Sequence, residues 1–195
     1  MENQALKPTL PIYIGIIVFP AEYLEKASEN IQKSTSFLIW MLVVFSLMIP
    51  QGLINSRTSP LGELYWGIWL IGSLLAFYPA VYGYGYLLWR LGKGFGGQAS
   101  FSDIRNTVIF SMVPLIVNLP FTLIYTGIAI NRNDFSLASR QSTLVNWIIW
   151  LVGFRILATG IARFNQFSKT QTLIVWFLVA LFLTAIQGLV YLVRQ

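Results

Sequence analysis

The sequence predicts an all-α protein, a polytopic transmembrane bundle of five spans with an N-terminal interfacial amphipathic helix, and three observations predict it. Hydrophobic residues make up 56% of the chain and charged residues only 10%, with a mean hydropathy of +0.67, whereas a soluble domain carries about 25% charged residues. The apolar residues gather into runs of about 20, the length that crosses a hydrocarbon core. Short connectors rich in proline, glycine and basic residues separate the runs, and 195 residues leave no room for a sizeable soluble domain.

The N-terminal segment, 1–36, opens on an apolar run from Ile12 to Phe19 between Pro11 and Pro20, too short to cross and read as an interfacial or re-entrant lead-in. Leu24, Ala27 and Ile31 then recur at spacings of three and four among Glu22, Glu25, Lys26, Glu29 and Lys33. This is an amphipathic helix that either lies on the membrane surface or leads, solvated, into the first span. The transmembrane domain, 37–195, follows with spans at about 37–54, 64–89, 107–130, 144–162 and 172–193.

The second span exceeds the crossing length and is expected to tilt or kink at Pro79. Gly72, Ala76 and Ala80 lie four apart on one of its faces and allow close approach of another helix. Tyr65, Trp66 and Trp69 at one end, and Tyr86 and Trp89 at the other, fit aromatic girdles at the two interfaces. Pro114 and Pro120 interrupt the third span and free backbone carbonyls that lipid cannot satisfy, so this span must face protein or water. Ala180, Thr184 and Gly188 form a second small-residue stripe in the last span.

Five spans put Lys7, Lys26, Lys33, Arg90, Lys93, Arg105, Arg163 and Lys169 on one side, and Arg57, Arg132, Arg140 and Arg194 on the other. The richer side is cytoplasmic by the positive-inside rule, which places the N-terminus in the cytoplasm and the C-terminus outside. The net charge of +6 is read as attraction to anionic headgroups rather than to nucleic acid.

Cysteine and histidine are absent, which excludes disulfides, thiolate metal sites, cysteine nucleophiles and histidine bases. The carboxylates Glu2, Glu22, Glu25, Glu29, Glu63, Asp103 and Asp134 all fall outside the spans, and none is paired for acid–base work. The expectation is therefore a protein that is not an enzyme, with no catalytic residues, metal site or cofactor.

Polar groups within spans remain as candidates. Arg155, Asn118, Tyr78 and Tyr82 fall at similar depths and either form a polar layer that holds a lipid phosphate or another anion, or leave Arg155 to snorkel or to tie off the carbonyls freed by the prolines. Asn146 and Gln187 form another pair of similar depth, explained by interhelical hydrogen bonding. The loop GKGFGGQAS lacks the order of a Walker phosphate loop and follows no strand. With Arg90, Lys93 and Arg105 it either touches anionic headgroups or is a plain connector.

Glu63, Leu64 and Tyr65 match the opening of an acidic–Leu–Tyr–Gly–Pro motif, with Gly67 displaced by one and the proline missing. Phe110, Ser111, Met112, Val113, Pro114 and Leu115 match an aromatic–Ser–apolar–apolar–Pro–Leu segment, and Gly96, Gly97, Gln98, Ala99, Ser100 and Phe101 match a glycine–glycine–small–phenylalanine loop. With Pro20 ahead of Leu24 and Glu25, these stretches resemble the Yip (Ypt-interacting protein) family, and the loop its prokaryotic members. The resemblance implies five spans and a cytoplasmic N-terminus; in eukaryotic relatives it also implies Rab GTPase binding and vesicle traffic. An N-terminal segment of about three dozen residues lacks their long cytosolic domain and points away from GTPase binding. The resulting expectation is a scaffold or lipid-organising factor of the prokaryotic cytoplasmic membrane, with anionic lipids and a membrane-protein partner or a second copy as partners. The alternative is a small transporter or channel subunit with a path around Arg155 and Asn118.

Overall fold

The computed structural model describes residues 11–30, 33–58, 62–132 and 135–193. The regular elements among the described residues are all helices: α1 (Ile12–Val18), α2 (Pro20–Asn30), α3 (Lys33–Thr58), α4 (Glu63–Gly94), α5 (Phe101–Ser111), α6 (Val113–Val117), α7 (Leu119–Arg132), α8 (Phe135–Asn165) and α9 (Lys169–Val193). By length and composition, Leu64–Gly94 and Trp147–Asn165 suffice to cross a membrane, and α5 to α7, bent by 45°, make a third crossing if taken as one span. Helices α3 and α9 carry the shorter apolar stretches Phe37–Met48 and Lys169–Ala185.

The prolines act differently. Pro79 is accommodated inside α4 on its exposed face. Pro114 and Pro120 instead reset the helix, each becoming the second residue of a new one, where a missing N–H costs nothing. Backbone carbonyls around these breaks have protein partners. Ser46 Oγ of α3 donates to the Leu115 carbonyl, and Asn118 O accepts both the amide and the hydroxyl of Thr122 at 2.9 Å.

The broken helix occupies the centre. Helix α5 packs between α4 and α8, α6 lies against α3 and α8, and α9 closes on α4 and α8. Val108, Phe110 and Ile104 of α5 are buried with Leu88 of α4, Ile156 and Ile161 of α8, and Val175 of α9. Two glycines one heptad apart bring α8 onto the break. A Cβ at Gly153 would lie 2.5 Å from the Ser111 carbonyl oxygen, and one at Gly160 would overlap Thr107.

The small-residue stripe of α4 serves no such contact: Gly72, Ala76 and Ala80 are exposed, and a Cβ at Gly72 would meet nothing within 4 Å. The tryptophans at the start of α4 pack instead at Gly52 of α3, whose added Cβ would lie 2.7 Å from the Trp66 ring. The side chains of Asn146, Gln187 and Gly188 lie outside the described residues.

Helix α2 spends its apolar stripe on the bundle. Leu24 and Ala27 are fully buried, with α2 packed on α5 and α8, and Ile31 lies outside the described residues. Arg163 holds Glu25 through two hydrogen bonds of 2.7 Å, and Ser28 donates to Asp103 at 3.2 Å. The Arg163 hydrogen bonds hold the Glu25 carboxyl below its ordinary range. A lowered folded value means the pair stabilises above the unfolded pKa of about 4.3 and loses that contribution as pH falls through the folded value. Both side chains are over 40% exposed, so Glu25→Gln is expected to cost only about 0.2–1 kcal/mol at pH 7. Thermal unfolding should show that difference at pH 7 and lose it at low pH.

Candidate functional site

Three segments meet at one end of the bundle: α2, the connector 95–100 and the connector 166–168. Each connector is built the same way. Helix α4 stops with Gly96 at φ +80°, the Gly97 amide reaching Gly92 O at 2.8 Å and the Gly96 amide reaching Lys93 O at 3.0 Å. Helix α8 stops identically around Gln166 at φ +59°, with Phe167 bonded to Ala162 O at 2.8 Å and Gln166 to Arg163 O at 3.3 Å. Both are Schellman turns. Each is followed by a serine capping box, Ser100 with Asp103 and Ser168 with Gln171. A non-glycine residue at positive φ is disfavoured, so Gln166→Gly is expected to stabilise by up to about 1 kcal/mol, read as a raised unfolding temperature.

Asn165 joins the two connectors. It is 2% exposed, its Nδ2 donates to Ile161 O at 3.1 Å, and its Oδ1 accepts the Ala99 amide at 3.4 Å. Gly92 and Gly97 pack against its amide, and a Cβ at Gly97 would overlap Oδ1 and lie 2.8 Å from Gly92 O. The glycines of the loop are therefore accounted for by packing and chain reversal. The amides of Gly96, Gly97, Ala99 and Ser100 are all given to Lys93, Gly92, Asn165 and Asp103, so they are not a backbone cradle for an anion. Arg90 and Lys93 lie exposed near the end of α4.

Beside this end, α3, α4 and α5 enclose a cleft of about 270 Å³ lined by Trp40, Tyr78, Tyr82, Arg105, Phe37 and Ile109, with Val81 at its base. Gly85 sets the approach of α5: its added Cβ would lie 3.4 Å from Arg105 Cα. The Arg105 side chain then runs along α4, with Nη1 at 3.5 Å from the Tyr82 hydroxyl and the guanidinium 5.5 Å from the Tyr82 ring. Asn106 Oδ1 accepts from Nε at 3.3 Å and from Nη2 at 3.0 Å, fixing the guanidinium plane. Tyr78 lies against Tyr82 in a tilted contact with ring centroids 4.5 Å apart and makes a T-shaped contact with Trp40 at 5.6 Å. Rings continue through Phe101 to Tyr86 and Trp89, whose Nε1 donates to Ala99 O at 3.2 Å.

The polar groups that the sequence singles out are thus distributed differently. Tyr78 and Tyr82 do come together, but with Arg105. Arg155 is exposed and donates from Nη2 to Val18 O at 3.3 Å, at the carbonyl end of α1. Asn118 is buried at the α6–α7 break, and Pro114 and Leu115 build that break. Tyr65 stacks on Trp69, Leu64 is exposed, and the Glu63 side chain lies outside the described residues. Sequence reasoning misses Trp40, Asn106 and Asn165. Asn106 follows Arg105 directly, and Asn165 ends a helix two residues after Arg163, patterns too common in sequences to stand out.

A larger apolar cavity of about 850 Å³ lies between α4, α8 and α9, with Trp147, Trp150, Phe154 and Trp176 on its walls and Met112 and Ser111 at the break. The Ser111 hydroxyl is given to Val108 O at 2.7 Å, so the cavity offers space without chemistry. No group of three potential metal-ligating side chains occurs among the described residues.

No curated protein and no solved structure matches the chain. The Yip1 domain family model matches residues 14–192, spanning α1 to α9 nearly whole, and this membrane protein of apolar helices therefore belongs to the Yip1 domain family.

Proposed function

We propose that the chain crosses the membrane five times, through α3, α4, the bent α5–α7 unit, α8 and α9, and acts without catalysis as a scaffold or lipid-organising factor. The supporting observation is the closure of the broken helix. Ser46 binds the Leu115 carbonyl, Thr122 binds that of Asn118, and Gly153 seats α8 against that of Ser111. A transporter keeps unpaired backbone at such a break for its substrate or ion; here the Leu115 and Asn118 carbonyls are bonded within the protein and the Ser111 carbonyl is covered by α8. Arg155 and Asn118, the residues of the alternative path, are likewise engaged at α1 and at the break.

The crossing order has separate support, since α2, the connector 95–100 and the connector 166–168 share one end, as two crossings between each of these segments in turn require. The charge count favours that end as cytoplasmic, with the C-terminus outside, and the resemblance of the 96–101 loop suits a prokaryotic cytoplasmic membrane. The exposed apolar residues Tyr13, Ile14, Val18 and Phe19 support an interfacial role for α1. Anionic lipids and a second membrane protein or another copy of the chain are the partners.

Two experiments test this reading. Single cysteines replacing Lys93 and Arg132 should label from opposite faces of the membrane, and labelling from one face would overturn the five crossings. Native mass spectrometry after extraction in mild detergent should retain a membrane protein or a second copy; a lone chain that retains a soluble metabolite would favour transport.

A further inference from the structure

The cleft between α3, α4 and α5 holds a cation whose bonded partners are neutral. Arg105 is half-buried, touches Asn106 Oδ1 and the Tyr82 hydroxyl, and has no carboxylate paired to it among the described residues. A half-buried guanidinium without a counter-charge favours an anionic partner, and its fork matches the oxygens of a phosphate. Trp40 supplies an independent observation. The residue is 8% exposed and lines the same cleft, and its Nε1–H finds no acceptor among the described residues. A buried donor left unmade costs about 1–3 kcal/mol, and a small turn of the ring toward the cleft would offer it to a ligand oxygen.

Depth narrows the ligand. Arg105 follows the first residue of α5 by four positions, about 6 Å at 1.5 Å per residue, and Trp40 follows the first residue of α3 by seven, about 10 Å. Both start at the basic end of the bundle, so the cleft lies at the level where headgroups meet acyl chains, roughly 5–10 Å in. Its volume of about 270 Å³ falls just below that of pockets for drug-sized ligands and suits a single small group.

We infer that this cleft is a phosphate-binding site: Arg105 pairs with the anionic oxygens, the Trp40 indole and the Tyr78 and Tyr82 hydroxyls donate to the same group, and Asn106 holds the guanidinium in plane. The inference rests on the membrane-crossing reading for its depth, while crossing itself is tested at Lys93 and Arg132, outside the cleft, so the two can fail separately.

The test is binding to the purified, delipidated full chain in mild detergent, with three probes: short-chain phosphatidylglycerol, the matching diacylglycerol without phosphate, and inorganic phosphate. Phosphatidylglycerol should bind at least about tenfold more tightly than diacylglycerol, and Arg105→Gln should remove that preference. Trp40→Phe keeps the ring contacts and loses the N–H, and should weaken the lipid a few-fold. Lys93→Gln, an exposed cation outside the cleft, should change nothing. Tight binding of phosphatidylglycerol alone assigns the phosphate to a lipid, and equal binding of inorganic phosphate assigns it to a soluble anion. Equal binding of diacylglycerol and phosphatidylglycerol, binding of neither phosphate probe, or an equal loss in Lys93→Gln and Arg105→Gln would overturn the site.

Discussion

Gly153→Val should destabilise the protein by about 3 kcal/mol or more, because the added Cβ would meet a backbone atom rather than a side chain that can turn away. The atom is the Ser111 carbonyl oxygen, 2.5 Å from where that carbon would sit. Relief requires moving α8 off the α5–α6 break, and with it the contacts of Ile156 and Leu157 in the core. Overpacking a filled interior forces off-rotamer side chains and backbone shifts and costs about 1–3 kcal/mol, occasionally more, and a clash with backbone belongs at the upper end. The comparison is Gly127→Ala in α7, where a Cβ meets nothing within 4 Å and a gain of about 0.5–1 kcal/mol is expected from helix propensity. Unfolding temperature and monodisperse yield in detergent should separate the two; equal behaviour would show that α8 does not lie on the break.

Asn165→Ala should be the next most damaging single change, at about 1–3 kcal/mol, since it leaves the buried Ala99 amide without its acceptor and opens space between Gly92 and Gly97. The loss should be local as well as global. Amide exchange at Ala99 and protease cleavage within 95–100 should rise, while exchange in α7 stays as it was. Gly97→Ala should produce the same opening from the other side of the contact, because its methyl overlaps Oδ1 of Asn165. If both variants keep the loop protected, Asn165 is not what secures it.

The membrane class and the helical content are legible in the sequence because hydropathy and run length are local properties of the chain, and Pro114 and Pro120 announce the break for the same reason. The small-residue stripe at Gly72, Ala76 and Ala80 misleads, since spacing shows that a helix face is narrow and not what comes to lie on it. Gly153 and Gly160 carry the same kind of signal but sit among Phe154, Arg155 and Thr159, where no stripe is visible. Arg105 stands out in the sequence only as one cation of a basic loop. That it turns inward to Tyr82 depends on Gly85 letting two backbones approach, a contact between residues 20 apart that no local pattern records. Asn165 escapes sequence reasoning for that reason too: its partner Ala99 is 66 residues away.

The two Schellman turns and their serine boxes use hydrogen bonds between residues no more than five apart. Each hairpin, α4 with α5 and α8 with α9, can therefore reverse direction as soon as its own residues have been synthesised, without waiting for distant chain. On the proposed five-crossing reading, insertion by pairs of helices would leave both turns behind on the side of synthesis, with the carboxamide of Asn165 left to fasten the second pair to the first across 66 residues of chain.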